Sequence, residues 1–235
     1  VAGSPELDIG GRLRAERLRV GLSARGLARE IGVSPSLVSQ IETGKSRPSV
    51  STLYAITNVL GISIEDLFDR PDQVPAGRAG GAVATPVSGA LPDLMTALGW
   101  TQASDGDRPD AGRRVLGPDR DRQVGPVVPP PEREVLTLDS GVTWERLGQV
   151  PGAHIDFLRI TYEPGSTSAG NGRLMRHPGV EYGYVVSGEL VLTLGFDEHQ
   201  LSPGDAVSFD SSTPHGYRND GIEPAVGIWF VLESA

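Results

Sequence analysis

The chain contains no cysteine. That excludes disulfide bridges and zinc–thiolate sites, and it agrees with an intracellular setting. No apolar run approaches the roughly 20 residues that a membrane-spanning helix needs, and no basic-then-apolar leader opens the sequence. A soluble, cytoplasmic protein with no membrane partner is therefore expected. Internal repeats are also absent. Basic residues are scarce in the second half: residues 132–235 carry six arginines against fifteen acids.

The first part differs. Residues 9–48 hold eight basic residues (Arg12, Arg14, Arg17, Arg19, Arg25, Arg29, Lys45, Arg47) against three acids. A small basic segment ahead of a larger acidic one suggests that only the first meets a polyanion, although a solvated helix face has the same composition. An apolar content of 38% supports a packed core over 235 residues, while 31 glycines and 19 prolines imply many turns and at least one loose segment.

Punctuation along the chain divides it in three. Residues 1–70 predict five short helices. "IGGRLRAERLRVG" sets Ile9, Leu13, Leu18 and Val20 among arginines. "LSARGLAREIG" has Ser23 as N-cap and Gly32 as stop; "VSPSLVSQIETG" has Ser34 as cap, Pro35 at the first helical position and Gly44 as stop. "SVSTLYAITNVLG" and "SIEDLF" complete the set. Residues 71–131 are rich in Pro, Gly, Asp and Arg and predict a flexible, largely disordered linker. Within it Leu91, Leu94, Met95 and Leu98 recur at helical spacing, which fits either a docking helix or a transient turn. Residues 132–235 predict short strands cut by Pro-Gly, Ser-Gly and Pro-Gly-Asp turns, the pattern of a sandwich or small barrel.

The second and third helices flank the "GVS" turn at 32–34, which is helix-turn-helix punctuation. Val38 and Ile41 are the natural inward residues of the third helix, so Ser36, Ser39 and Gln40 face outward. In a helix-turn-helix such side chains meet base edges, and glutamine can bond adenine through two hydrogen bonds. Lys45 and Arg47 stand where phosphates would pass, and Ser23 and Ser34 mark helix N-termini whose N–H groups suit phosphate. A bundle kept only for dimerisation or as a lid is the alternative reading of these residues. The stretch "GLSARGLAREIGVSPSLVSQIETGKSRPSVSTLYAITNVLGISIEDLF" resembles the XRE (lambda-repressor-like) regulators, most specifically in "SPSLVSQIETGKSRPS". Ala24 stands where that family often has glutamine, so Ser23, Arg25 and Arg47 would supply the phosphate contacts.

"RHPGVEYGYVVSGEL" places His177 four residues before Glu181, and His215 follows in "SPGDAVSFDSSTPHGYRN". Alternation puts Glu181, Gly183 and Val185 on one strand face. Two imidazoles and one carboxylate form a facial set with open positions, suited to Fe(II) and less selectively to Mn, Ni or Zn. A metal-free barrel whose polar residues bind a ligand or satisfy one another is the alternative. These segments resemble the two cupin motifs: Gly172, His177, Glu181 and Gly188 match the first, with Met175 in place of its first histidine, and Gly204, His215 and Asn219 match the second, with Asp210 and Ser212 replacing its Pro and Gly. Arg159, Arg173, Tyr184 and Trp229 are candidate pocket residues, with Trp144 beside them. His199 is expected in solvent, and the facing of His154 is open.

The resemblance as a whole implies a two-domain protein: a helical DNA-binding unit and a C-terminal double-stranded β-helix barrel. It implies a homodimer or higher even oligomer on a two-fold double-stranded DNA operator, with the barrel sensing a small-molecule effector. Hydroxypropylphosphonate epoxidase is similar in layout, so an iron-dependent oxidase is the rival, and a ligand-binding module whose helices only oligomerise is a third possibility. Catalytic residues are not assigned.

Overall fold

The computed structural model describes residues 7–68, 127–150 and 155–232. Residues 71–126 of the expected linker, the candidate helix at 91–98 and His154 lie outside them.

Among the described residues five α-helices form where caps and apolar spacing coincide: α1 (Ile9–Arg19), α2 (Ala24–Ile31), α3 (Pro35–Glu42), α4 (Val50–Leu60) and α5 (Glu65–Phe68). Four begin at a side chain that accepts a free N–H of the first turn: Asp8 from Gly10, Ser23 from Gly26, Ser34 from Leu37 and Ser49 from Thr52. Gly32 ends α2 in the left-handed conformation, with φ 71°, which a side chain would oppose. The stripe of α1 departs from expectation. Ile9 and Leu13 are buried, but Leu18 and Val20 are exposed. One helical turn beyond Leu13 lies Arg17, and it takes the inward place. Its guanidinium bonds Glu42 of α3 at 2.5 and 2.8 Å and the Leu22 carbonyl at 2.7 Å.

Among the described residues nine strands follow: β1 (Val135–Thr137), β2 (Val142–Gly148), β3 (Ile155–Tyr162), β4 (Val180–Ser187), β5 (Leu190–Leu194), β6 (Asp197–Leu201), β7 (Ala206–Asp210), β8 (His215–Arg218) and β9 (Ala225–Leu232). They make an antiparallel six-stranded sheet in the order β1-β2-β3-β9-β4-β7 and a three-stranded sheet in the order β6-β5-β8. The expected fold class, a helical bundle plus an all-β barrel, is borne out. β1 and β2 were not among the strands singled out from the sequence, because Glu134, Glu145 and Arg146 interrupt their apolar pattern.

Alternation assigns the inward residues: Leu158, Ile160 and Tyr162 on β3, Glu181, Gly183 and Val185 on β4, Trp229 and Val231 on β9. Gly183 and Gly227 leave space for the Trp229 indole; a Cβ on Gly183 would lie 2.8 Å from Trp229 Nε1, and one on Gly227 would lie 2.2 Å from its ring. The inner face of β1–β2 packs against helices. Tyr54 of α4 meets Trp144 at 6.0 Å between ring centroids, and the Arg146 guanidinium lies 5.2 Å over the Phe68 ring. Backbone bonds Leu7 N–H to Val135 O and Asp139 N–H to Pro48 O continue the junction. Buried residues of helices and strands form one apolar cluster. No helix among the described residues is long and apolar enough to cross a membrane.

The Arg17–Glu42 pair is nearly dry, each side chain about 7% exposed. Truncating one partner strands a buried charge, so Arg17→Ala is expected to destabilise the protein by about 3–5 kcal/mol, whereas the double replacement of Arg17→Met with Glu42→Leu should lose far less. Urea unfolding of the two variants checks this; equal losses would contradict it.

Candidate functional site

The third helix presents two faces. Val38 and Ile41 are 1% and 2% exposed, and Ser36, Ser39 and Gln40 lie on the exposed side. Ser23, Arg25, Ser34, Lys45 and Arg47 are exposed as well. The chain leaves α3 in a tight turn, with the N–H groups of Lys45 and Ser46 both donating to Gln40 O at 2.8 and 3.2 Å. All eight sequence-predicted contact residues are thus solvent-facing. The Arg17–Glu42 pair fixes α3 to α1 behind them.

The β unit brings together the second set. Glu181 projects inward from β4, His177 precedes that strand, and His215 opens β8. His177, Glu181 and His215 offer one ligand atom each, all within 4.8 Å of one another, and all three residues are buried. His177 Nε2 lies 3.6 Å from Glu181 Oε2, and His215 Nε2 lies 3.2 Å from it. His215 Nδ1 is 2.8 Å from the Thr213 carbonyl. A carbonyl only accepts, so Nδ1 carries the proton, and in the neutral ring Nε2 turns a lone pair toward the carboxylate.

Glu181 is held from its other side. Its Oε1 accepts the Tyr217 hydroxyl at 2.8 Å, and that hydroxyl accepts the Trp229 indole N–H at 3.2 Å. Burial pushes the Glu181 carboxyl up; protonation of the His177 and His215 rings at Nε2 would supply hydrogen bonds and charge that outweigh burial and bring it down to about 2. Burial, then the Glu181 charge, push the Tyr217 hydroxyl well above the usual phenol range, so it stays a donor. The residues fit a divalent cation. Both Nε2 atoms and His177 Nδ1 are buried without a hydrogen-bond partner, and the two-nitrogen, one-oxygen donor set suits first-row metals. His215 has the outer hydrogen bond that fixes a ligating ring, and the Tyr217–Trp229 chain does the same for Glu181.

The pocket expectations divide. Trp229 is inward and 1% exposed, and Trp144 is buried too. Arg159 and Tyr184 need correction: both are on the outer face of the six-stranded sheet. Arg159 alternates with inward Leu158 and Ile160 and pairs with Glu145; Tyr184 alternates with inward Gly183 and Val185 and is half-exposed. Arg173 also stays outside the barrel, donating to the Ile31 carbonyl at the end of α2 at 2.9 Å. Met175 is buried and pairs its backbone with that of His215. His199 is exposed, as expected. Two site residues escaped the sequence reading. Tyr217 lies two residues after His215 and so shares its strand face; that spacing was the available signal. Tyr54 sits on α4, and its ring stacks on His177 with centroids 4.3 Å apart and planes 7° apart; nothing local announces a contact across more than a hundred residues.

Comparison with known proteins gives two matches within the chain: the Helix-turn-helix family over residues 13–67 and the Cupin domain family over residues 158–231. The HTH-type transcriptional regulator PuuR of Escherichia coli (strain K12) is 25% identical over 211 residues, 89% of this chain and 86% of PuuR. An HTH-type transcriptional regulator of Archaeoglobus fulgidus is 36% identical over 62 residues, 26% of this chain and 89% of that protein. Among solved structures, an HTH_3 family transcriptional regulator from Vibrio cholerae covers 97% of this chain and 96% of its own, with a TM-score of 0.57 and 20% identity, a likeness of fold.

Tyr217→Phe removes the outer support of Glu181 and leaves all three donor residues. It is expected to weaken divalent-metal binding about 10–100-fold, read by titration of Co2+ or Ni2+ into metal-stripped protein. Undiminished affinity would show that the hydroxyl does not tune the site.

Proposed function

Because the chain belongs to the HTH-type transcriptional regulators and carries a helix-turn-helix and a cupin domain in one polypeptide, we propose that it is a cytoplasmic, homodimeric operator-binding regulator whose barrel holds a divalent metal and senses a small molecule. The observation that carries this reading is the pairing of an exposed polar face on α3 with a buried His177–Glu181–His215 set in the same chain. On this reading Gln40, Ser36 and Ser39 read base edges. Arg25, Lys45, Arg47 and the helix starts at Ser23 and Ser34 hold phosphates. The metal would be held by His177, Glu181 and His215. As a Lewis acid it would supply open positions for an anionic or oxygen-rich effector.

The outer face of the six-stranded sheet supports pairing with a second copy. Tyr182, Tyr184 and Phe230 are half-exposed there, together with Val180, an apolar patch that a second helix-turn-helix protomer would cover. Two recognition helices in such a dimer read half-sites about 34 Å apart, one helical turn. The oxidase alternative uses the same triad, and no observation favours it specifically.

Three measurements test the reading. Mobility shift on DNA upstream of the gene, with excess random competitor, should give a selective complex, and its absence would remove the proposal. Gln40→Ala should lose discrimination among operator variants worth about 1–3 kcal/mol, whereas Lys45→Ala should weaken all sequences alike and lower the salt slope by about one. Tyr184→Asp should shift the full chain toward monomer in analytical ultracentrifugation, and an unchanged dimer would place the interface elsewhere.

A further inference from the structure

The triad site is not closed by the barrel alone. Tyr54 is 4% exposed and lies flat on the His177 imidazole. Around that contact runs a seam between α4 and the segment from Ser168 to His177. Ser51 N–H donates to Ser168 O at 3.1 Å, and the Gly170 N–H donates to Ser51 Oγ at 2.9 Å. Asn58 Nδ2 donates to Arg176 O at 3.1 Å. Arg173 reaches further, to the carbonyl of Ile31 at the helix-turn-helix turn. Gly170 makes the approach possible: a Cβ there would fall 2.0 Å from Ser49 Oγ and 2.6 Å from Ser49 Cβ.

We propose that Tyr54 is a wall of the triad site and the contact through which occupancy of that site reaches the DNA-reading helices. This rests on the metal reading of His177, Glu181 and His215. A ligated imidazole carries part of the ion's positive charge. The face of a phenol ring is electron-rich, so a stacked tyrosine gains attraction when the ring beneath it is drawn positive. The ion also fixes the orientation of His177, and with it the backbone that runs through Arg176 and Arg173 to α4 and α2. Occupancy therefore tightens the seam. By reciprocity, anything that pulls α4 away loosens the occupant. A guest that comes over His177 from its Tyr54 side must push the phenol aside, and so acts on α4 in the opposite sense to the ion.

Amide hydrogen exchange of residues 50–60 in the full chain, with Co2+ as the probe and its absorption band as the binding readout, tests this. In the wild type Co2+ should slow exchange of α4 about 5-fold or more, the lower end of ordinary coupling free energies. Gly170→Val, which wedges the seam, and Arg173→Ala, which removes the outer latch, should bind Co2+ about 5-fold more weakly, the reciprocal of the coupling, and at saturating Co2+ show little or no slowing of α4. Wild-type binding with no change in α4, or variants that respond like wild type, would overturn the proposal and leave the metal reading standing. Failure of the wild type to bind Co2+ would instead remove the metal reading. The seam is then judged in ion-free protein: His177→Ala should speed exchange of α4 about 5-fold while β5 is unchanged, and equal α4 exchange in the two proteins would overturn it.

Discussion

A six-stranded sheet facing a three-stranded one leaves apolar surface uncovered, and the arrangement of this chain follows from that mismatch. The strands β6, β5 and β8 cannot span the whole inner face. At the β1–β2 end Leu136, Leu138 and Trp144 would otherwise meet water, and each large buried side chain is worth about 1.5–3 kcal/mol relative to exposure. The helical unit fills the gap with Tyr54 and Phe68, so the DNA-reading bundle and the barrel share one core. Their docking is therefore part of folding.

Much of this was legible in the residues. Serine caps and glycine stops located α2 and α3, because capping is a local interaction, and apolar spacing located α4. The polar triad was legible for a similar reason. His177 and Glu181 are close in sequence, and His215 follows a turn whose residues announce themselves. The errors fall where the deciding partner is distant. Arg17 took an inward place because Glu42, twenty-five residues away, neutralises it. Arg159 and Tyr184 were assigned to the pocket without a face, and only the strand register against Glu145 and Ala206 settles it. β2 carries its charges toward specific partners, Arg146 to Glu134 and Glu145 to Arg133 just before β1 and to Arg159, and those charges interrupt the apolar pattern.

The triad itself is prepared before any guest arrives. The Thr213 carbonyl chooses the tautomer of His215, and Tyr217 and Trp229 fix the carboxylate. The resulting pocket points electron-rich atoms at one another at short range, an arrangement that a cation relieves and that an apolar molecule would not. With Met175 where the resembling motif has its first histidine, His177, Glu181 and His215 offer three donors, so a cation held there would keep more of its coordination sphere open.

Gly32 answers to two masters. Its backbone must turn left-handed to end α2, and an asparagine would tolerate that geometry. Any side chain there, however, would begin 2.6 Å from the Arg173 guanidinium and expel it from the Ile31 carbonyl. The bend that separates α2 from α3 is thus constrained from behind by Arg173 of the other domain. Drift at this position is disciplined by a side chain of the other domain, and a chain without its barrel would be free to take asparagine there.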